Sequence, residues 1–248
     1  MALKVAHNMS RGRQTPVNVT FNNIRTMPQL AARMSAMLDF SSEEFLEACC
    51  QVLPSKGFTS ESQYPAAFLP DSYEVYWTTT PEALVEKLVS HRNRFWSDER
   101  RARARALGLS PVEIATVASI AEEETAKRDE RPMVARLYIN RLDRGMKLQA
   151  DPTVKYSIGD FTIRRIMGSM LSVRSPYNTY MNKGLPPGPI RIAEAATIDG
   201  VLNAPKHDYL YMCAREDFSG YHNFAADYAT HRANAARYRV ELDRRGIK

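Results

Sequence analysis

Ser110-Pro111-Val112-Glu113 fixes the start of a helix more firmly than any other signal in the chain. A hydroxyl residue stands at the N-cap, proline takes the first helical position where its missing N–H costs nothing, and glutamate at N3 can reach back to the N-cap backbone. The predicted helix continues through Val117-Ala118-Ser119-Ile120-Ala121 into three successive acids, Glu122, Glu123 and Glu124. At about 100° per residue, Ala115, Ala118, Thr125 and Ala126 share a side with Glu122, whereas Thr116, Ser119 and Lys127 group around Glu123 on the opposite, wetter side. Glu122 is thus expected to face packed protein and Glu123 to face solvent, with Glu124 at the margin of the apolar arc beside Val117 and Ile120. A carboxyl set among small apolar groups loses hydration, which disfavours its charged form and raises its pKa toward the value a general acid needs. Two readings of the cluster stand: a proton donor at Glu122, or a solvated helix end of the kind that charge runs commonly form.

The rest of the chain reads as α+β. Residues 16 to 24 alternate as a half-buried strand does, and helices are expected from Thr26-Met27-Pro28 and from Ser41 or Ser42 toward Pro54. Phe68 to Trp77 reads as a turn into an aromatic strand, either a sugar platform or core, with core favoured. Thr80-Pro81-Glu82 opens a helix with Leu84, Val85, Leu88 and Val89 at helical spacing, continuing through Arg100 to Arg105 toward Gly108. That arginine run is read as a solvated face rather than a binding patch. Further helices are expected from Glu130-Arg131-Pro132 to before Gly145, from Glu194 to near Pro205, and from Tyr228 to Arg245.

With 248 residues, of which 44% are hydrophobic and 25% charged, the chain can bury a core and is not of disordered composition. A net charge of +6 favours a neutral or anionic partner. Nucleic acid is disfavoured, because the basic residues are dispersed and no helix-turn-helix, zinc-finger or RNP signature is present. Cys49, Cys50 and Cys213 form no disulfide framework and are expected as buried free thiols. His7, His91, His207, His222 and His231 lack metal-ligand spacing, so no metal or other cofactor is expected. No apolar run of about 18 residues and no signal-peptide layout are found.

Ser175 to Ile190 is too rich in Pro, Gly, Tyr and Asn for a regular element and should be an ordered loop. Tyr177 and Tyr180 could stack on pyranose rings, and Ser175, Asn178 and Thr179 could bond hydroxyl and acetamido groups; the alternative is a Pro-Gly structural clamp. Asp151, in Gln149-Ala150-Asp151-Pro152, is either a catalytic acid or the start of an Asx turn.

The order of these segments resembles the endolytic murein transglycosylases, the YceG-like family. The motifs are Glu122-Glu123-Glu124, Glu130 to Leu142, Gly145 to Tyr156, Ser175 to Tyr180 and Gly184 to Ile190. The similarity runs from about Phe68 to the C-terminus and is densest from Ala118 to Tyr211. The resemblance implies cleavage of the MurNAc–GlcNAc bond of peptidoglycan by one glutamate aligned with Glu122. That residue would first protonate the leaving oxygen and then take the proton of the muramoyl 6-hydroxyl as it closes to a 1,6-anhydro sugar. It also implies Gln149, Thr153 and Tyr156 as cleft residues beside Asp151, Ser175, Tyr177, Asn178, Thr179 and Tyr180. His222 matches the family's late His-x-Phe element, with a packed histidine as the alternative. The family commonly carries Lys or Arg where this chain has Glu123, which inverts the local charge.

Further implications are a LysM-like N-terminal module, shortened here, with its connecting helix in residues 1–105, and a mainly helical catalytic domain with a glycan cleft in residues 106–248. Peptidoglycan strands are the expected partner, together with cell-wall synthases. The expected location is the inner membrane, with the catalytic part on the periplasmic side and the anchoring helix outside this chain, Met1 being an artificial start. Two other readings are kept: a hydrolytic muramidase using Glu122 with Asp151, and a non-catalytic glycan-binding scaffold.

Overall fold

A computed structural model describes residues 14–163 and 165–246. Strand β1 (Val17–Phe21) pairs antiparallel with β2 (Asp71–Val75), Val17 opposite Val75 and Phe21 opposite Asp71. Between them run α1 (Met27–Ser35) and α2 (Ser42–Val52), followed by 3-10 turns at Leu53–Lys56 and Glu61–Ala67. Thr26 caps α1 by accepting from the Gln29 N–H, and Ser41 with Glu44 forms a complete capping box on α2. Val19, Phe21, Leu30, Met34, Phe45 and Phe68 form the centre of a first core, which α3 (Pro81–Phe95) closes with Leu84, Val85, Leu88 and Val89. Phe68 and Tyr73 lie in that core as expected, but Tyr76 and Trp77, just beyond β2, are half exposed.

Helix α3 does not continue into the arginine run. Trp96 leaves helical geometry and Ser97 caps a separate α4 (Asp98–Ala106). Nor is that run a merely solvated face: Arg100 holds both oxygens of Asp199 at 2.7 and 2.8 Å, and Arg101 donates to the Trp96 carbonyl.

The second core gathers around α5 (Pro111–Glu124), with α6 (Arg131–Asp143), α7 (Asp151–Ile158) and α8 (Ala195–Leu202). The Ser110 capping box is present with both bonds. Every residue of α5 from Ile114 to Glu122 is buried, so the expected wetter side is absent. Thr116 and Ser119 satisfy their hydroxyls on the Val112 and Thr116 carbonyls, and Ser119 also receives the Ile190 N–H. Helix α7, to which no sequence signal points, starts at Asp151 with Pro152 in its first turn, so the Asx-turn alternative for Asp151 gives way to a helix start. A hairpin of β3 (Tyr211–Ala214) and β4 (His222–Ala225) and a peripheral helix α9 (Tyr228–Arg244) complete the fold.

Neighbouring residues join the two cores. Phe68 belongs to the first and Leu69 to the second; Ala115 to the first and Ile114 to the second; Ile192 to the first and Ile190 to the second. Arg191, between two isoleucines that enter different cores, is itself buried, with its guanidinium against Glu122 and Glu123. Cys49, Cys50 and Cys213 are free; Cys50 is exposed, contrary to expectation. Among the described residues no single helix is long and apolar enough to cross a membrane.

Candidate active site

The three acids ending α5 meet three different environments. The Glu122 side chain is wholly buried: Oε1 accepts the Glu194 N–H at 2.7 Å and lies 3.8 Å from Arg131, while Oε2 lies 2.8 Å from Arg191 Nε, outside hydrogen-bond alignment. Burial raises its pKa, opposed first by the Arg191 charge. The inward orientation expected for Glu122 is found, but inward here means an ion-pair knot and not a cleft. Glu123 does not face solvent. Its oxygens are held by Arg25 at 2.9 and 3.1 Å and by Arg191 at 2.9 Å, with the side chain only 15% exposed.

Glu124 is the acid that reaches a cleft. The buried Tyr138 of α6 donates its phenol to Oε1 at 2.5 Å. Burial raises the Glu124 pKa to about 7; the Tyr138 bond opposes the shift and the nearby Asp151 charge adds to it. The cleft, about 210 Å³, is bounded by the ends of α5 and α6, the start of α7, Tyr180 and the β3–β4 hairpin.

Of the residues expected in a cleft, Gln149, Asp151, Tyr180 and His222 line it. Gln149 is exposed and held at φ 51°, a left-handed conformation that turns the chain into α7. Asp151 Oδ1 accepts the Tyr180 phenol at 2.6 Å. His222 is clamped twice by Glu130, through its backbone N–H at 2.7 Å and its ring Nδ1 at 2.8 Å. Against the desolvation that would raise it, these bonds hold Glu130 below its ordinary pKa.

The other expected contacts form the scaffold behind the cleft. Thr153 and Thr179 are buried and bonded to each other at 2.8 Å, and Thr179 also receives the Ala150 N–H. Buried Asn178 ties the Leu171 and Val173 carbonyls. Ser175 caps the turn below Tyr177, whose ring packs on Tyr156 at 4.7 Å instead of presenting a free face. Tyr138, Arg141 and Glu130 belong to the site but were not singled out by the sequence. Arg141 spans from α6 to the Leu148 and Leu210 carbonyls, closing one end of the cleft. Only long-range contact reveals such residues; the recognisable local signal was the helix start at Glu130.

Residues 1–237 match the YceG-like family. The chain belongs to this family. It is similar to the endolytic murein transglycosylase of Bacillus subtilis (strain 168), 32% identical over 164 residues, covering 66% of this chain and 43% of that protein. It is also similar to the endolytic murein transglycosylase of Streptococcus pneumoniae serotype 2 (strain D39), 29% identical over 166 residues, covering 65% of this chain and 30% of that one. The chain therefore spans less than half the length of either relative. A 2.6 Å crystal structure of a yceG-like protein from Listeria monocytogenes superposes with a TM-score of 0.73 at 26% identity, covering 93% of this chain and 80% of that one. In this YceG-like chain, no group of three metal-binding side chains comes together among the described residues. His7 lies outside them.

Proposed function

We propose that this YceG-like chain is an endolytic lytic transglycosylase of peptidoglycan and that Glu124 is its proton donor. The observation that carries the reading is a cleft-lining carboxyl with a pKa near 7, hydrogen-bonded by one phenol and free of any arginine partner among the described residues. Such a group is protonated in a large fraction of molecules at neutral pH and ready to donate. Glu124 gives its proton to the glycosidic oxygen as the bond from the muramoyl anomeric carbon breaks, and the muramoyl 6-hydroxyl, losing its proton to a base of the cleft, closes on that carbon to leave a 1,6-anhydro end without water. The names of the two curated relatives support the substrate class. In this reading the role that motif alignment gave to Glu122 passes to Glu124, and Glu122 holds the helix end. Gln149, Asp151 and Tyr180 present amide, carboxylate and phenol groups to the sugars.

The test is mass analysis of products released from purified peptidoglycan. Anhydro products from wild type and Glu122→Gln, with none from Glu124→Gln, support the reading. Loss with Glu122→Gln while Glu124→Gln stays active overturns it. A second reading is favoured by one observation: Asp151 shares the cleft with Glu124 and could act as the second carboxylate of a hydrolase. Its products would each carry one added water.

We assign the β1–α1–α2–β2 unit as the LysM-like module, supported by its element order and antiparallel pairing, and take residues 1–105 and 106–248 as the two divisions of the protein on the strength of the family resemblance. The enzyme would work on nascent strands beside a synthase, at the inner membrane on the periplasmic side.

A further inference from the structure

A lytic transglycosylase moves two protons, and Glu124 supplies only the first; the geometry points to His222, oriented by Glu130, as the group that takes the second, from the attacking sugar hydroxyl. The inference rests on the reading of the cleft just proposed and departs from the expectation that one carboxylate performs both transfers.

Glu130 sits at the start of α6 and its side chain is 4% exposed. One oxygen accepts the His222 backbone N–H and the other lies 2.8 Å from the ring Nδ1. A carboxylate held below its ordinary pKa can only accept, so Nδ1 carries the hydrogen and the Nε2 lone pair is left free. Among the described residues Nε2 has no protein hydrogen-bond partner, and it is not a sealed atom. His222 instead forms part of the wall shared by the Glu124 cleft and an adjoining cavity of about 380 Å³. An imidazole with one nitrogen fixed by a buried carboxylate and the other open to a cleft is arranged as a base. The same orientation would be unnecessary for a histidine that only fills space.

The charged groups facing His222 are Glu130 beneath it, Glu124, Asp151 and Arg141 around the cleft, and Asp129 and Arg215 on its outer side; the phenols of Tyr138, Tyr180, Tyr209 and Tyr221 and the Cys213 thiol complete the titratable set. In the reaction, Glu124 passes its proton to the leaving oxygen while His222 Nε2 takes the proton of the 6-hydroxyl as its oxygen bonds to the anomeric carbon. The site ends with Glu124 ionised and His222 cationic, and one proton returned from His222 to Glu124 through solvent restores it. Nothing else is consumed.

His222→Gln is expected to lower kcat by about 100-fold or more, with little change in KM. Glu130→Gln, a positioning change, is expected to lower kcat by a smaller factor, again with little change in KM. Full kcat in His222→Gln, or a loss confined to KM, overturns the assignment. Nitrogen NMR of the wild-type imidazole gives a readout that does not depend on turnover: Nδ1 protonated with Nε2 bare supports it, and the opposite tautomer overturns it even if the chain proves inactive on peptidoglycan.

Discussion

The Nε of Arg191 lies 2.8 Å from Oε2 of Glu122. The same guanidinium donates to Glu123 through Nη1, so one arginine occupies two successive acids of α5 and leaves Glu124 as the acid that opens on a cleft. Arginine pairing thus separates three chemically identical residues into two structural anchors and one acid open to a cleft.

Arg191→Met should cost about 3–5 kcal/mol, because Glu122 then stays buried beside only the more distant Arg131. Urea unfolding measures the loss, and Arg191→Met combined with Glu122→Met should recover much of it. Equal stability of wild type and Arg191→Met would show that the knot is not a structural anchor.

Glu124 carries no such cation among the described residues. Its folded pKa, about 7, exceeds its unfolded value, so its stabilising contribution is complete below pH 4.5 and is lost as pH rises through about 7. The loss amounts to roughly 3 kcal/mol from the size of the shift. Glu124→Gln should flatten that part of the stability curve and be more stable than wild type at pH 8, as read from urea midpoints at several pH values.

The alkaline side of the activity profile should fall near pH 7 as Glu124 ionises. Tyr138→Phe removes a bond that stabilises the carboxylate, so its pKa rises further and the alkaline limb moves to higher pH. A shift toward lower pH would mean that Tyr138 does not donate to Glu124.

Gly188 approaches the 3-10 turn at 61–67 so closely that an added Cβ would stand 1.8 Å from the Ser62 carbonyl oxygen, a backbone atom. Gly188→Ala should therefore destabilise by about 1–3 kcal/mol, seen as a lower Tm, through separation of the Pro-Gly loop from that turn. An unchanged Tm would show that the contact yields freely.

Local grammar made most of the helices readable. Ser41 and Ser110 with their glutamates, and Thr80 with Pro81, announce starts that the backbone obeys. Helix α7 was missed because Asp151-Pro152 suits a turn as well as a first helical turn. The sidedness of α5 misled for a different reason: Thr116 and Ser119 are small enough to be buried once their hydroxyls bond to carbonyls, so polarity did not mean exposure. The acid-bearing segment was legible, but the choice among its three glutamates depended on Arg25, Arg131 and Arg191. Arg25 and Arg191 lie far from the segment in sequence, and no local pattern predicts which carboxylates those cations will take.

The short run at 190–192 also sets how this molecule comes apart. Ile190 is anchored to Ser119, Ile192 donates its N–H to Ile24, and Arg191 grips the acids between them. Melting either half strips these three successive residues of half their partners, so the melting of one half should bring down the other in a single transition. Amide exchange around Ser119 and around Ile24 would then report one common opening event.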